Sequence, residues 1–272
     1  MMNYAVKTER ANTEKYVESA ARGMADCKLT NYETVLSTTD FDKVVFMGVL
    51  RGTHLVYKHC QNNKKDFYYI DRPYWGESRA TPYWMRCVKN QHVKTFVDHR
   101  SDDRFKRQYK DEIKPFHKNG KYVLVVPPSH AMAEMFDGKD WLDNTMKVLK
   151  DNTDREIVVR EKPYNPKAVI DGEGKMVPGK SANNKPAKPF EWDKVHAVVT
   201  FNSSISIKAL TNGVPAFANF DNPCLPVCEQ DFTKIETPRY EDPRPVFNSL
   251  AYNQFTQEEF RNGYYMEILD GR

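Results

Sequence analysis

The stretch Ala197-Val-Val-Thr-Phe-Asn-Ser-Ser-Ile-Ser-Ile-Lys-Ala-Leu-Thr-Asn-Gly-Val-Pro-Ala-Phe-Ala-Asn219 decides the fold. It reads as an apolar strand up to Phe201, a polar turn at Asn202, Ser203 and Ser204, a short helix with Ile205, Ala209 and Leu210 on its inner side, then a second apolar run. Asn212-Gly213 is a helix stop: Gly takes the left-handed conformation without a Cβ penalty, and the Pro that follows prevents resumption. The product is a parallel β-α-β unit. Because a helix N-terminus carries roughly half a positive charge, Ser203 and Ser204 either receive a phosphate or only cap the helix.

The same pattern recurs upstream. Tyr122-Val-Leu-Val-Val126 reads as a buried strand, Pro127-Pro128-Ser129-His130 as a turn, and Trp141–Lys150 as a helix with Leu142, Met146 and Leu149 on one face. A further strand, Glu156–Arg160, runs into Glu161-Lys162-Pro163. The span Tyr164–Pro189 holds four prolines, three glycines and five lysines, with a hairpin tip suggested at Asp171-Gly172-Glu173-Gly174; a loop this long is usually functional or disordered. Three strand ends thus bring Ser129 and His130, Arg160 and Lys162, and Asn202, Ser203 and Ser204 to one rim. Two cations and two hydroxyl-bearing helix starts suit a diphosphate or nucleoside monophosphate better than a neutral ligand. Singly, each is also a cap, a surface cation or a core histidine.

Before Lys118-Asn119-Gly120 lies another strand-turn-helix series. Residues 3–7 read as a strand, Asn12 as the cap of a helix carrying Tyr16, Val17, Ala20 and Met24, and Val44–Met47 as a buried strand stopped by Gly48. A helix with His54, Leu55 and Tyr57 follows Arg51-Gly52-Thr53, and the strand Asp66–Asp71 ends on a carboxylate. In open parallel sheets functional groups gather beyond the carboxyl ends of strands, which places Arg51, Thr53, His54, Asp71 and Arg72 on one rim. Between Tyr74 and Asn90, aromatics interleave with Arg86 and Lys89; they form either a stacking surface or a core with its cations in solvent. Gly76, Ser78 and Pro82 argue against a regular element there.

The two series predict an α/β protein with two Rossmann-like domains facing a cleft: 1–119, 120–245, and a closing segment 246–272. Thr256-Gln-Glu-Glu259 is a capping box opening a last helix. At 272 residues the chain suits one large or two ordinary domains. No run of about 18 apolar residues exists and Met1 is not followed by an apolar leader, so a cytoplasmic protein with no membrane partner is expected. Five cysteines without a framework fit a reducing compartment, and the Cys224/Cys228 pair lacks further ligands for zinc. Net charge is +4, and eight Lys/Arg against four acids between Arg100 and Lys121 give that segment the whole surplus. Arg100, Arg104, Lys106 and Arg107 either meet nucleic-acid phosphates or form a solvated helix face.

The pattern strand-Thr-x-Asn-Ser-Ser-helix-Ala-Leu-x-x-Gly-x-Pro-strand, preceded by Pro-Pro-Ser and Val-Arg-x-Lys-Pro, resembles the donor-binding half of GT-B glycosyltransferases, closest to capsule-type and phage-encoded members. With Tyr69-Ile-Asp71, the Tyr83–Asn90 segment and Ser249-Leu-Ala-Tyr-Asn-Gln-Phe-Thr, the whole chain is similar to a phage group that glycosylates hydroxymethylated cytosine, DNA arabinosyltransferases among them. The resemblance implies a nucleotide-sugar co-substrate, with a UDP-sugar favoured over a CMP-sugar, and no other cofactor; no metal is expected, because Arg160 and Lys162 can stabilise the departing phosphate. Ser203 and Ser204, beside Asn202, would hold the donor phosphates, Arg160 and Lys162 would neutralise them, and Ser129 and His130 would close the other side. Lys208 stands where many relatives carry a ribose-binding Glu, which leaves the nucleotide open. Asp71, then His54, is the candidate base for an inverting transfer; a retaining enzyme needs none. Arg51, Arg72, Tyr74, Arg86 and Lys89 would meet the acceptor, hydroxymethylcytosine in DNA, with a capsule or lipopolysaccharide sugar and a non-catalytic binding protein as the alternatives. Asp40-Phe-Asp42 precedes its strand, so it should lie at the rim away from the cleft.

Overall fold

A computed structural model describes residues 2–8, 11–75, 83–160, 166–172, 174–181 and 190–271. In chain order the first series comprises β1 (Asn3–Val6), α1 (Ala11–Gly23), β2 (Cys27–Thr30), α2 (Tyr32–Leu36), β3 (Lys43–Met47), α3 (Thr53–Asn62), β4 (Asp66–Asp71), β5 (Met85–Lys89) and α4 (Asp103–Gln108). The second comprises β6 (Tyr122–Val126), α5 (His130–Met135), α6 (Trp141–Asn152), β7 (Glu156–Val159), the strands β8 (Pro166–Ile170) and β9 (Met176–Ser181), β10 (Val195–Thr200), α7 (Ile205–Thr211) and β11 (Ala216–Phe217). α8 (Arg244–Ala251), β12 (Gln254–Phe255), α9 (Gln257–Arg261) and α10 (Tyr264–Leu269) close the chain.

The strands build a six-stranded sheet of order β12-β5-β4-β3-β1-β2 and a four-stranded sheet of order β11-β10-β6-β7, and β8 pairs with β9 alone. β2, β1, β3 and β4 run parallel, as do all strands of the smaller sheet. Numbered within its own series, each parallel set has the order 2-1-3-4, so the second sheet repeats the doubly wound plan of the first. The expected α/β class with two Rossmann-like sheets is the observed one.

Both sheets are covered on both faces, which is why their strands read as continuous apolar runs rather than alternating ones. Side chains alternate across a strand: Val44, Phe46, Phe67 and Tyr69 pack against Val35, Val56, Tyr57 and Cys60 of α2 and α3. On the opposite face Val45, Tyr68, Ile70 and Cys87 meet Tyr16, Val17 and Ala20 of α1 and Phe260 and Tyr265 of the closing helices. In the smaller sheet Val123, Val125, Ala197 and Val199 pack on Leu149 of α6, while Leu124, Val126 and Val198 meet Ile207, Ala209 and Leu210 of α7 together with Phe247 and Leu250 of α8.

Several local expectations change. α1 begins at Ala11, so Asn12 lies inside the first turn and is not its cap. The region after Tyr83 contains a strand, β5, antiparallel to β4, whereas 76–82 lie outside the described residues. The 164–189 span holds the β8–β9 hairpin, its turn closed by Gly174 N–H donating to Asp171 O at 3.0 Å. The capping box expected at Thr256 and Glu259 is present and opens α9.

The chain end returns to the first sheet: β12 pairs with β5, and Asp270 accepts from Lys43 Nζ at 2.8 Å and Tyr68 Oη at 2.7 Å, with Lys89 Nζ at 3.0 Å. Burial opposes ionisation of Asp270, but these partners outweigh it and hold its carboxyl at about 2. The stretch before β6 instead lies on the second sheet, where Lys114 N–H donates to Thr211 O and His117 N–H to Gly213 O, both at 3.0 Å. Gly213 has φ 71°, and a Cβ there would sit 2.1 Å from Pro115 O. Gly213→Ala is therefore expected to cost about 1–3 kcal/mol of stability, read as a lower urea midpoint at unchanged slope. An unshifted midpoint would mean that 114–117 does not lie against the end of α7.

Candidate functional site

In an open α/β sheet the ligand crevice forms where strand order reverses, outside the carboxyl ends of the two strands on either side. In the second sheet that point lies between β6 and β10. Their ends are tied by Thr200 Oγ1 donating to Val126 O at 2.8 Å, and Arg160 N–H joins the end of β7 to Val125 O at 2.8 Å. The turn Phe201–Ser204 leaves β10 here, and Pro127–Ser129 leaves β6. Ser129 is half-buried and caps α5, accepting from Met132 N–H at 3.4 Å; His130 is exposed. Ser203 Oγ accepts from Ile205 N–H at 3.3 Å, and Ser204 is exposed and makes no side-chain cap. Asn202 is 8% exposed, yet its Nδ2 has no hydrogen-bond partner among the described residues. Arg160 is half-buried, its guanidinium 3.7 Å from the Phe190 ring centre. Lys162 lies outside the described residues.

The facing rim belongs to the first sheet. Asp71, last residue of β4, accepts at Oδ1 from Arg72 N–H and at Oδ2 from Tyr69 Oη and Arg86 Nη2, each at 2.8 Å. Burial pushes its carboxyl up, but Arg86, His92, the Arg72 N–H and the Tyr69 hydroxyl outweigh that and bring it from 3.8 to about 2. Asp71 is thus a carboxylate at every ordinary pH. Arg86 Nη2 also lies 3.3 Å from His92 Nε2, and His92 Nδ1 lies 2.8 Å from Asp221 Oδ2. Asp221 stands on the turn beyond β11, so this line of polar groups joins the carboxyl-terminal rims of the two sheets. Aromatic rings run alongside: Phe136, after α5, meets His92 at 5.2 Å, Tyr57 at 6.3 Å and Phe220 at 5.4 Å, and Phe220 stacks on Phe201 at 4.5 Å.

The β8–β9 hairpin docks on the start of α3. Met176 is buried in the first sheet's core, Arg51 N–H donates to Met176 O at 2.7 Å, and Lys175 Nζ lies 4.8 Å from the Tyr32 ring. His54 is 4% exposed beneath the hairpin; burial pushes its imidazole below the usual 6.5, partly opposed by the Gly174 backbone.

Five expectations are corrected. His54 faces the hairpin instead of an open rim, because the 166–181 insertion folds over it. Tyr74 is core at 4% exposure, packed on Trp75. Arg86, at 8%, is buried, its Nη2 engaged by Asp71 and His92, so it offers no exposed cation to an acceptor. Lys89, three residues along the same strand, points to the other sheet face and pairs with Asp66 and Asp270. Arg104 is 3% exposed and bound to Glu259 at 2.6 Å, so it cannot meet a nucleic acid. Lys106 and Arg107 are exposed; Arg100 is half-buried beside Asp98 at 3.0 Å. Arg72 is half-buried at the Asp71 rim, and Asp40 and Asp42 stand at the amino end of β3, the opposite rim. His92, Asp221 and Tyr69 carried no signal as site residues beyond an Arg set among apolar neighbours, a hint that a counter-charge is buried with it.

No family model matches the chain, and no curated protein matches its sequence. The solved structures similar to it include two transferases. One is the beta Kdo 2,4 transferase KpsC of Thermosulfurimonas dismutans, 11% identical over 92% of this chain and 90% of that chain, with a TM-score of 0.49. The other is the beta Kdo 2,7 transferase KpsC of the same organism, 12% identical over 99% of this chain and 98% of that chain, with a TM-score of 0.46. Among the described residues no helix is long and apolar enough to cross a membrane.

Proposed function

We propose that the protein is a nucleotide-sugar-dependent glycosyltransferase in which residues 120–245 hold the donor and 1–119 present the acceptor, while within 246–272 α8 stays on the donor sheet and β12, α9 and α10 tie back to the first part. The observation that supports this reading is the second sheet's switch point, where Ser129 and Asn202–Ser204 follow the carboxyl ends of β6 and β10 and the buried Asn202 Nδ2 has no partner among the described residues, while Asp71 ends β4 of the other sheet. A buried donor left without an acceptor costs about 1–3 kcal/mol; a phosphate or sugar oxygen would remove that cost. Arg160, one strand away, would neutralise the leaving phosphate, with His130 at the crevice edge.

Asp71 then serves as the base of an inverting displacement. With its carboxyl held at about 2 it is a weak base, so it takes the acceptor proton late, once the hydroxyl oxygen has begun to bond to the anomeric carbon and become acidic. Arg72 and Arg51 remain on the acceptor side. For the acceptor we take 5-hydroxymethylcytosine in DNA, on the resemblance of the chain to the phage group, with the exposed Lys106 and Arg107 and the half-buried Arg100 as phosphate contacts. A UDP-sugar is the preferred donor, arabinose being one sugar it would carry, and the enzyme would act in the host cytoplasm.

The test incubates the protein with UDP-, CMP- and GDP-sugars and hydroxymethylated DNA and weighs the digested nucleosides. A gain of one pentose or hexose on 5-hydroxymethyl-2′-deoxycytidine is expected. Nucleotide release with lipopolysaccharide-type acceptors only would overturn the DNA acceptor, and no release with any pair would overturn the transferase. Ser129→Ala and Asn202→Ala should each weaken UDP-sugar binding by about threefold to tenfold, the loss of a hydrogen bond or two.

A further inference from the structure

Asp221 is followed by Asn222, which is fully buried and wired to the donor turn: its Nδ2 donates to Ser203 O at 3.1 Å and its Oδ1 accepts from Ser206 Oγ at 2.8 Å. Asp221 itself has φ 31°, uncommon for a non-glycine residue although Asp adopts it more readily than most. The polar line described above therefore continues past Asp221 to Ser203. We propose that Asp221, His92 and Arg86 form a positioning relay that couples the donor turn at Ser203 to the orientation of the Asp71 carboxylate; the catalytic half of this proposal rests on the transferase reading.

The chemistry of the partners fixes the state of His92. Arg86 can only donate, so Nε2 must be the acceptor; Asp221 can only accept, so Nδ1 must carry the proton. Only the neutral Nδ1–H tautomer satisfies both ends. The groups facing the ring are Arg86, Asp71 and Tyr69 from the first sheet and Asp221 from the second, with the Phe136 ring beside it. Protonating Nε2 would set two cationic N–H groups against each other and break the relay at its centre. Burial, with Arg86, pushes the His92 imidazole below the usual 6.5, and Asp221 and Asp71 oppose that. The relay is thus intact at neutral pH and lost as pH falls through the lowered value, and with it the stability that the neutral buried imidazole contributes. Donor loading that moves Ser203 would shift Asn222 and Asp221, and through His92 would settle Arg86 and Asp71.

Two variants cut the line at different places. His92→Gln can still accept from Arg86 but does not reach Asp221; His92→Asn keeps an N–H for Asp221 but not the acceptor for Arg86. In both, kcat should fall on the order of tenfold to a hundredfold, as expected for a misplaced reacting group, with KM for the UDP-sugar little changed and the acid limb of the pH–rate profile lost. Turnover close to wild type, or an unchanged acid limb in both, would overturn the relay. A second measurement needs no transfer reaction: the nitrogen NMR spectrum of His92 in the whole protein should show the Nδ1–H tautomer, and its titration should move to lower pH in both Asp71→Asn and Asp221→Asn. If the tautomer is Nε2–H, or the titration ignores both substitutions, the relay is wrong whatever the enzyme does. If the spectrum is as expected but no sugar moves to any acceptor, the transferase reading fails while the link between the rims stands.

Discussion

Asp71→Asn is expected to lower turnover on the order of a hundredfold to ten-thousandfold, the usual contribution of a positioned base, with donor affinity nearly unchanged. The substitution preserves shape: an amide oxygen still accepts from Arg86 and Tyr69, and only the acceptor for the Arg72 N–H is lost, so the protein should fold. What it removes is the charge that balances a guanidinium whose side chain is 9% exposed. Stability should fall by about 1–3 kcal/mol, the net value of hydrogen bonds to charged groups. The sign with pH follows from the depressed carboxyl: Asp71 contributes stability above its ordinary 3.8 and loses it as pH falls towards about 2. The variant should therefore show a flatter stability–pH curve than wild type across that interval, measured by urea midpoints. Wild-type turnover in the variant would remove Asp71 from the chemistry; a retaining mechanism, which needs no base, is one route to that result.

How much of this was legible in the chain follows from what each segment buries. The runs Val44–Met47, Tyr122–Val126 and Ala197–Thr200 become central parallel strands covered on both faces, and an unbroken apolar run is what such a strand requires. The hairpin was readable only at its Asp171–Gly174 turn, since its flanks carry no alternation. β5 was not readable: Met85-Arg-Cys-Val-Lys places a cation at each of two positions in a short strand, and one of them is buried only because Asp71 and His92 are there to meet it. β2 and α2 are too short to show a period. At the candidate site, Asp71, Ser129 and Asn202–Ser204 stand at strand ends, where position along the chain predicts position in space. The groups that connect the rims do not. His92 and Asp221 are 129 residues apart and meet only because the two sheets dock rim to rim, which no local pattern encodes.

Misplacing Arg104 has the same origin, and its substitution is expected to have the largest effect on stability. In a segment with eight cations it looked like one more surface charge. In the fold its Nη1 donates to Glu259 Oε1 at 2.6 Å, its Nη2 to Gln254 O at 2.5 Å and its Nε to Ala251 O at 3.2 Å. Four aromatic rings, of Trp84, Tyr252, Phe255 and Tyr264, lie 5.5–5.7 Å from the guanidinium carbon. Planar delocalised charge suits such a nest, because it stacks on rings while serving several acceptors. Glu259 is at the same time the carboxylate of the α9 capping box, accepting from Thr256 N–H at 2.9 Å. Arg104 thus fastens the segment before the second sheet to the closing strand and helix of the first. Arg104→Ala leaves a half-sheltered carboxylate and the Gln254 carbonyl without the Arg104 donor, with Ala251 O kept by Gln108 Nε2 at 2.9 Å, and should cost about 3–5 kcal/mol, the range for breaking one side of a buried pair. Arg104→Lys keeps the charge but not the fork, and should recover only part of that. Urea unfolding of both, with Glu259→Gln as the other arm of a double-mutant cycle, measures the pair directly: strong coupling is expected, whereas independent effects of the two substitutions would assign the loss to the aromatic nest and the backbone carbonyls instead of the ion pair.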